Sequence, residues 1–392
     1  MTNILPLNPW PSFTEEEANR VSEILLSNKV NYWTGQEGRE FEKEFAQFAD
    51  SGYAIAVSNG TTALDLALNA LEIGSGDEVI VTSRTFIASI SSIVNAGAKP
   101  VFTDVDRDTQ NISPETIEPV ITVKTKAIIC VHLAGWPCEM DGILELAKLH
   151  DLKVIEDCAQ AHGARYKGKS VGSFGDISAW SFCQDKIMTT GGEGGMVTTN
   201  DKELWAKMWS FKDHGKSYEA IYNKEHPPGF RWVHESFGTN WRLTEMQSAI
   251  GRIQLKRMPE WTRIRGQHAA KLVRVCREFN CIRLPLIPDY IQHANYKFYA
   301  FIVPDQLKEG WSRDKILEEL NLLGVPAMQG SCSEVYLEKA FDDKPFKPKN
   351  SLPVAKELGE TSLMFQVHPS ITNEQMDWVA MQLKLTLLKA SL

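Results

Sequence analysis

Two residues in this chain carry side chains and spacing that invite chemistry. Asp157, with Glu156 before it, ends the apolar run Val154-Ile155, and Lys186 follows a second one, Ile177 to Phe182. Singly, the carboxylate reads as a helix cap and the lysine as a solvated cation. Together they suit a Schiff-base cofactor: a lysine amine to condense with an aldehyde, and an acid to keep a pyridine nitrogen protonated so that the ring can accept electrons. That is the chemistry of pyridoxal 5'-phosphate (PLP). A glycine cluster, Thr190-Gly191-Gly192-Glu193-Gly194-Gly195, comes directly afterwards.

A phosphate needs a cradle, and Ser58-Asn59-Gly60-Thr61-Thr62-Ala63-Leu64 supplies the ingredients. The stretch follows an apolar strand candidate and opens a helix. Gly60 lets backbone amides approach an anion, the helix start is partially positive, and threonine hydroxyls can donate. Ordinary capping by Ser58 or Thr61 is the competing reading. The segment is no P-loop, because it lacks GK[ST], and no GxGxxG follows the first strand. Phe86, after the next strand, suits either the flat face of a ring or a plain core position.

The elements that would position these residues are short apolar strands alternating with helices. Ala54–Val57, Val79–Thr82, Pro100–Thr103, Ala127–Val131, Lys153–Glu156 and Ile177–Phe182 read as strands, with Met196–Thr199 as an extra one. Helical patterns at Thr62–Leu71, Ile87–Asn95 and Gly142–His150 lie between them. This grammar predicts an α/β fold with a mostly parallel sheet covered on both faces, whose ligands collect at the strands' carboxyl ends. Thr14 to Asn28 reads as a helix with a Thr14/Glu17 capping box. Leu243 to Phe279 reads as a long helical run interrupted at Met258-Pro259, and Lys224 to Asn240 as a loop. The boundary is placed inside that run: a large PLP-binding domain at 1–250 with N-terminal helices, and a smaller α+β domain at 251–392.

At 392 residues a large core is feasible. Fifty acidic against 42 basic residues give a net charge of -8, which argues against a nucleic-acid platform. No apolar run has the length of a membrane span, and MTNILPLNPWPSF lacks the order of a signal peptide. A cytoplasmic enzyme is expected. None of the seven cysteines forms a CxxC pair, so buried reduced thiols are expected and a metal site is not.

Four motifs, SNGTTAL (58–64), EDCAQAHGA (156–164), WSFCQDKIMTTGGEGG (180–195) and GTNWRLTEMQSAIG (238–251), occur in order along nearly the whole chain. In this the sequence resembles the DegT/DnrJ/EryC1/StrS sugar-nucleotide aminotransferases, fold type I PLP enzymes of the aspartate aminotransferase superfamily. The resemblance implies that Lys186 binds the cofactor and relays the proton, that Asp157 pairs with the pyridine nitrogen, and that Gln160 bonds the ring oxygen. It implies that Gly60, Thr61 and Ser181 hold the phosphate, with Phe86 stacked on the ring. Asn240 would reach the phosphate of a neighbouring subunit's cofactor, which makes a homodimer with a shared active site part of the expectation. His162 is a third catalytic candidate, near the sugar or in the supporting shell with Glu193. L-glutamate is the implied amino donor and a nucleotide-linked keto sugar the acceptor. The implied reaction is amination of C4 in a UDP-4-keto-6-deoxy-N-acetylhexosamine, on the way to an amino sugar of a surface polysaccharide or glycan. Amination of a dTDP- or UDP-linked 3-keto sugar, or another PLP reaction on the same fold, is the alternative. Lys186 separates the chain from related dehydratases that carry histidine there. Two stretches depart from the family pattern: 324–341 lacks an expected histidine, and 362–372 lacks a Leu-Pro pair.

Overall fold

The computed structural model describes residues 5–392. The start of the segment read above for a signal peptide, and of the 1–250 domain, lies outside these residues. Seven strands form one sheet: β1 (Tyr53–Val57), β2 (Glu78–Thr82), β3 (Lys99–Thr103), β4 (Thr125–Val131), β5 (Lys153–Asp157), β6 (Ile177–Ser181) and β7 (Gly195–Thr199). Their spatial order is β1-β7-β6-β5-β4-β2-β3. β2 pairs parallel with β3 and β4, β4 with β5, and β5 with β6, while β7 runs antiparallel to both β1 and β6.

Strands of near-continuous apolar character arise because both faces are buried, and the two faces feed different cores. Ile55, Val57, Val79, Val81, Ala127, Ile129 and Ile155 pack on one side, with α3 (Gly60–Ala70) and the helix Ala88–Asn95. Their alternates Ala54, Ala56, Ile80, Ile128, Cys130 and Val154 pack on the other. The carboxyl ends of β1 to β6 share one edge of the sheet, and the antiparallel β7 begins there.

Two helices precede the sheet, α1 (Glu15–Ser27), with its Thr14/Glu17 capping box, and α2 (Glu37–Phe48). The long helix α4 (Glu245–Cys276) continues through Pro259 without interruption, contrary to the break expected from the sequence. Proline removes one backbone bond, to the carbonyl of Leu255. The buried stripe Gln254, Leu255, Met258, Trp261, Arg265, His268, Ala269, Leu272 and Cys276 holds the helix against its neighbours on both sides of that gap. A second, antiparallel sheet contains β8 (Ile282–Arg283), β9 (Phe298–Ile302), β10 (Ala327–Met328) and β11 (Ser362–Phe365) in the order β8-β9-β11-β10. It packs in a separate core with α4 and the C-terminal helix α5 (Asn373–Ala390). Among the described residues no helix is long and apolar enough to cross a membrane. Five of the cysteines are buried, Cys183 is half-buried and Cys332 is exposed.

Adjacent residues at the end of β5 face opposite ways. Glu156 is fully buried, and its Oε1 accepts from Phe174 N (2.8 Å), Gly175 N (2.8 Å) and Ser178 Oγ (3.2 Å). Its Oε2 accepts from Gly172 N (2.8 Å) and lies 3.0 Å from His132 Nε2. The His132 Nδ1 accepts from Cys138 N at 2.9 Å, so Nε2 carries the proton that is donated to Glu156. Desolvation opposes the carboxylate, but the bonds from His132 and the backbone outweigh it and hold its pKa below the usual glutamate range. A folded-state pKa below the unfolded one adds stability at neutral pH, which is lost as pH falls through the folded value. Replacing Glu156 with Gln sets an amide N–H against backbone donors. Urea unfolding of E156Q should show a loss of about 3 kcal/mol at pH 7, and the gap to the native protein should narrow on acidification.

Candidate active site

The edge where six strands end gathers most of the sequence-predicted residues. Asp157 is buried at the end of β5; its Oδ2 accepts from Ser89 Oγ at 2.9 Å and its Oδ1 from Ala159 N at 3.1 Å. Ser89 comes from the helix after β2, a contact no local pattern announces. Gln160 lies three residues beyond, with its side-chain oxygen accepting from Ala134 N at 2.8 Å. That bond leaves the amide NH2 as the donor toward the site.

The phosphate cradle is built by close approach. α3 starts at Gly60 with Asn59 as its cap, and the Asn59 side chain accepts from Thr62 N at 2.9 Å. A Cβ at Gly60 would lie 2.6 Å from Ser181 Cβ and 3.0 Å from Ser181 Oγ. The Ser181 hydroxyl therefore sits against the first turn of the helix, where free backbone N–H groups point. Gly195 makes the matching approach from β7, since a Cβ there would lie 2.3 Å from the Asn59 carbonyl oxygen. The Thr62 hydroxyl is spent on the cap, accepting from Asn59 N at 3.2 Å. Thr61 is half-buried at the same helix start.

Lys186 follows β6, with 15% of its side chain exposed, and its Nζ lies 4.0 Å from Asp185 Oδ1 and 5.4 Å from the centre of the Tyr296 ring. The Tyr296 hydroxyl donates to Asp185, and the Trp10 indole N–H donates to the Lys186 carbonyl at 2.8 Å. Trp10 lies 176 residues before Lys186 and Tyr296 lies 111 residues after Asp185, so sequence spacing gave no sign of them. Phe86 is 67% exposed, a large apolar face that a flat ring would cover. A buried carboxylate, a lysine amine, an open aromatic face and a hydroxyl-and-amide cradle at a helix N-terminus make up a donor set that fits PLP.

Two predicted residues are placed differently. His162 is fully buried among Phe45, Trp180 and Phe182, and neither ring nitrogen has a partner among the described residues. Burial, then Lys186 and Arg265, pull its pKa to about 3, so it is a neutral packing residue. That placement does not suit the catalytic or sugar contact expected of it. Glu193 is exposed, and its carbonyl accepts from Gln247 Nε2 at 2.9 Å. Asn240 is exposed at the surface, next to Trp241, whose carbonyl accepts from Ser58 N at 2.9 Å. Arg84 was not anticipated. Buried after β2, it donates to Gln110 Oε1 (3.1 and 2.9 Å) and Ser333 Oγ (2.7 Å), tying the 330–335 loop to the end of β2. His132, Glu156 and Cys158 lie close enough to suggest a metal site, but the Glu156 oxygens are already occupied by the donors described above.

The DegT/DnrJ/EryC1/StrS aminotransferase family model matches residues 11–384. The chain is 40% identical to the GDP-perosamine synthase of Caulobacter vibrioides over 88% of its own length and 90% of that protein's. It is 34% identical to the dTDP-3-amino-3,4,6-trideoxy-alpha-D-glucose transaminase of Streptomyces venezuelae, over 91% and 88%. Among solved structures, the aminotransferase from Psychrobacter cryohalolentis superposes with a TM-score of 0.97 at 62% identity, covering 98% and 99% of the two chains. A Gly60→Ala change should displace Ser181 and weaken PLP binding by about 10- to 100-fold, the loss of one hydrogen bond to a charged group. Titration of the cofactor-free protein, followed by absorbance, measures it.

Proposed function

The chain belongs to the DegT/DnrJ/EryC1/StrS aminotransferase family, and within it we propose that it transfers the amino group of L-glutamate to C4 of a UDP-linked 4-keto-6-deoxy-N-acetylhexosamine. It is a PLP-dependent sugar-nucleotide aminotransferase. What supports the site assignment is that Asp157 ends β5, that Ser181 ends β6 shortly before Lys186, and that Gly60 abuts Ser181. PLP, when bound, supplies an aldehyde carbon for Schiff-base exchange and a ring that takes up the electron pair released as a proton leaves carbon.

The chain's own groups do the rest. Asp157, oriented by Ser89, holds the proton on the pyridine nitrogen. The Gln160 amide would donate to the ring oxygen, and Phe86 would pack on the ring face. Gly60, Thr61 and Ser181 bind the phosphate. Lys186 would anchor the cofactor through Nζ, and when freed by an incoming amine the same atom would take the proton from the donor's α-carbon. In the second half it runs the opposite way, delivering a proton to the sugar carbon. Donor and acceptor use the site in turn, so ping-pong kinetics are expected.

The UDP-linked acceptor rests on the family resemblance. A GDP-linked acceptor is the second reading, favoured by the synthase relative at 40% identity. A 3-keto sugar on dTDP is favoured by the transaminase relative. Purified enzyme given L-glutamate should release 2-oxoglutarate with the UDP-linked 4-keto sugar and not with GDP- or dTDP-linked panels; the reverse selects the other reading. Lys186→Ala should cut that release by at least about 10^2- to 10^4-fold.

A homodimer completes the site in this proposal. Phe230, Trp232 and Phe237 are 78%, 85% and 98% exposed in the segment that leads to Asn240. Clustered exposed aromatics of this kind mark an interaction surface. The occupant proposed is a second copy, with Asn240 reaching its cofactor phosphate. The paired change Trp232→Ser and Phe237→Ser should shift sedimentation toward monomer, and Asn240→Ala should weaken PLP binding while leaving the dimer intact. An enzyme of this chemistry would work in the cytoplasm, where glutamate and nucleotide sugars are held.

A further inference from the structure

Beside Lys186, buried positive charge exceeds negative. Arg265, on α4, is 1% exposed. Its Nη1 donates to the carbonyls of Tyr296 (3.2 Å) and Asn295 (3.4 Å), while Nε and Nη2 have no partner among the described residues. Those two nitrogens share one edge of the planar guanidinium, the edge that holds both oxygens of a carboxylate. Burial pulls Arg265 down to about 9, and among the described residues the group that opposes this is Tyr296, not a carboxylate.

Lys297 adjoins Tyr296 in the chain, and its ammonium lies 4.9 Å from the centre of the Tyr296 ring, which Lys186 approaches to 5.4 Å. Burial lowers Lys297 to about 8; Asp185 opposes that shift, and Arg265 and Lys186 add to it. His368 is pulled to about 3 by burial and then by Arg265, Lys297 and His268, so it adds no charge at neutral pH. Asp185, the carboxylate of this group, is engaged by the Tyr296 hydroxyl. Trp10 covers the cluster: its ring lies 5.3 Å from the Arg265 guanidinium carbon and stacks on His368 at 5.7 Å. A buried guanidinium with an open bidentate edge and no anion is costly unless an anion arrives.

We propose that Lys297 and Arg265 form the anion-binding pole of the active site and take the α-carboxylate of the amino donor. The proposal rests on the transamination reading. An α-carboxylate is bonded to the carbon that gives up its proton to Lys186, so its site must lie next to that lysine. The diphosphate of a nucleotide sugar is separated from the reacting carbon by the sugar ring. Lys297 is partly exposed and meets the carboxylate first. Arg265 is more deeply buried, with its guanidinium beside the Trp10 ring.

The test is calorimetric titration of the PLP-loaded enzyme with glutarate, a donor analogue without the amine, alongside steady-state constants for L-glutamate. Lys297→Met should weaken glutarate binding and raise the KM for L-glutamate by about 10- to 100-fold, leaving the KM for the nucleotide sugar within about twofold. Lys297→Arg should restore most of the loss, and Arg265→Lys should show a smaller one. If Lys297→Met does not fold, Lys297→Gln and Arg265→Lys read the same quantity. Titrations with inorganic phosphate and UDP should not respond to these changes. A response there, with glutarate binding unaltered, overturns the assignment. Glutarate binding lost as stated, with 2-oxoglutarate released for no keto sugar, keeps the pocket and removes the transamination reading. Release of 2-oxoglutarate with glutarate binding indifferent to the variants removes the pocket alone.

Discussion

The site depends on one buried carboxylate that takes no part in its chemistry. Glu156 accepts five hydrogen bonds, three of them from the backbone of residues 172–175. An unpaired charge at such a depth would be strongly unfavourable, so the connection from β5 to β6 has to wrap around it. That wrap sets where β6 begins and, with the parallel pairing of Asp157 to Ala179, where Ser181 ends up. Because successive side chains of a strand point to opposite faces, a structural acid and a site acid stand side by side without competing. Glu156 organises one face of the sheet and Asp157 serves the other.

A second constraint is steric. The first turn of α3, the end of β6 and the start of β7 meet at Gly60, Ser181 and Gly195 with no room for another methyl group. This is why a glycine cluster follows Lys186. The turn has to bring an antiparallel strand back against the same helix N-terminus that β1 feeds. Backbone amides thus converge on one point, and a helix N-terminus at that point favours an anion. The antiparallel β7 between β1 and β6 is the price of that convergence, since a parallel strand there would start at the far edge.

The charge pattern around Lys186 follows from the second sheet packing back onto this edge. Tyr296 and Lys297 arrive from the approach to β9, Arg265 from α4 and Trp10 from the N-terminal segment. Each comes from a different element, and together they crowd cations into a space with one engaged carboxylate. Within a low-dielectric interior such an excess raises the affinity for an incoming anion, an effect that a solvent-exposed cluster of the same charges would lose to screening.

Local sequence determined the strands, most of the helices and the close-packed helix start at Gly60, because these rest on periodicity, capping and turn chemistry that act over a few residues. It misread Pro259, where the packing of a long buried stripe outweighs one lost backbone bond, and it gave His162 a place in the chemistry that its aromatic surroundings do not suit. Ser89, Arg84, Arg265, Tyr296, Lys297 and Trp10 were invisible in it, since each acts on a partner far away in the chain. Which polar group is orphaned, and which cation lacks an anion, is decided only when distant elements pack and exclude water. That is a property of the tertiary structure.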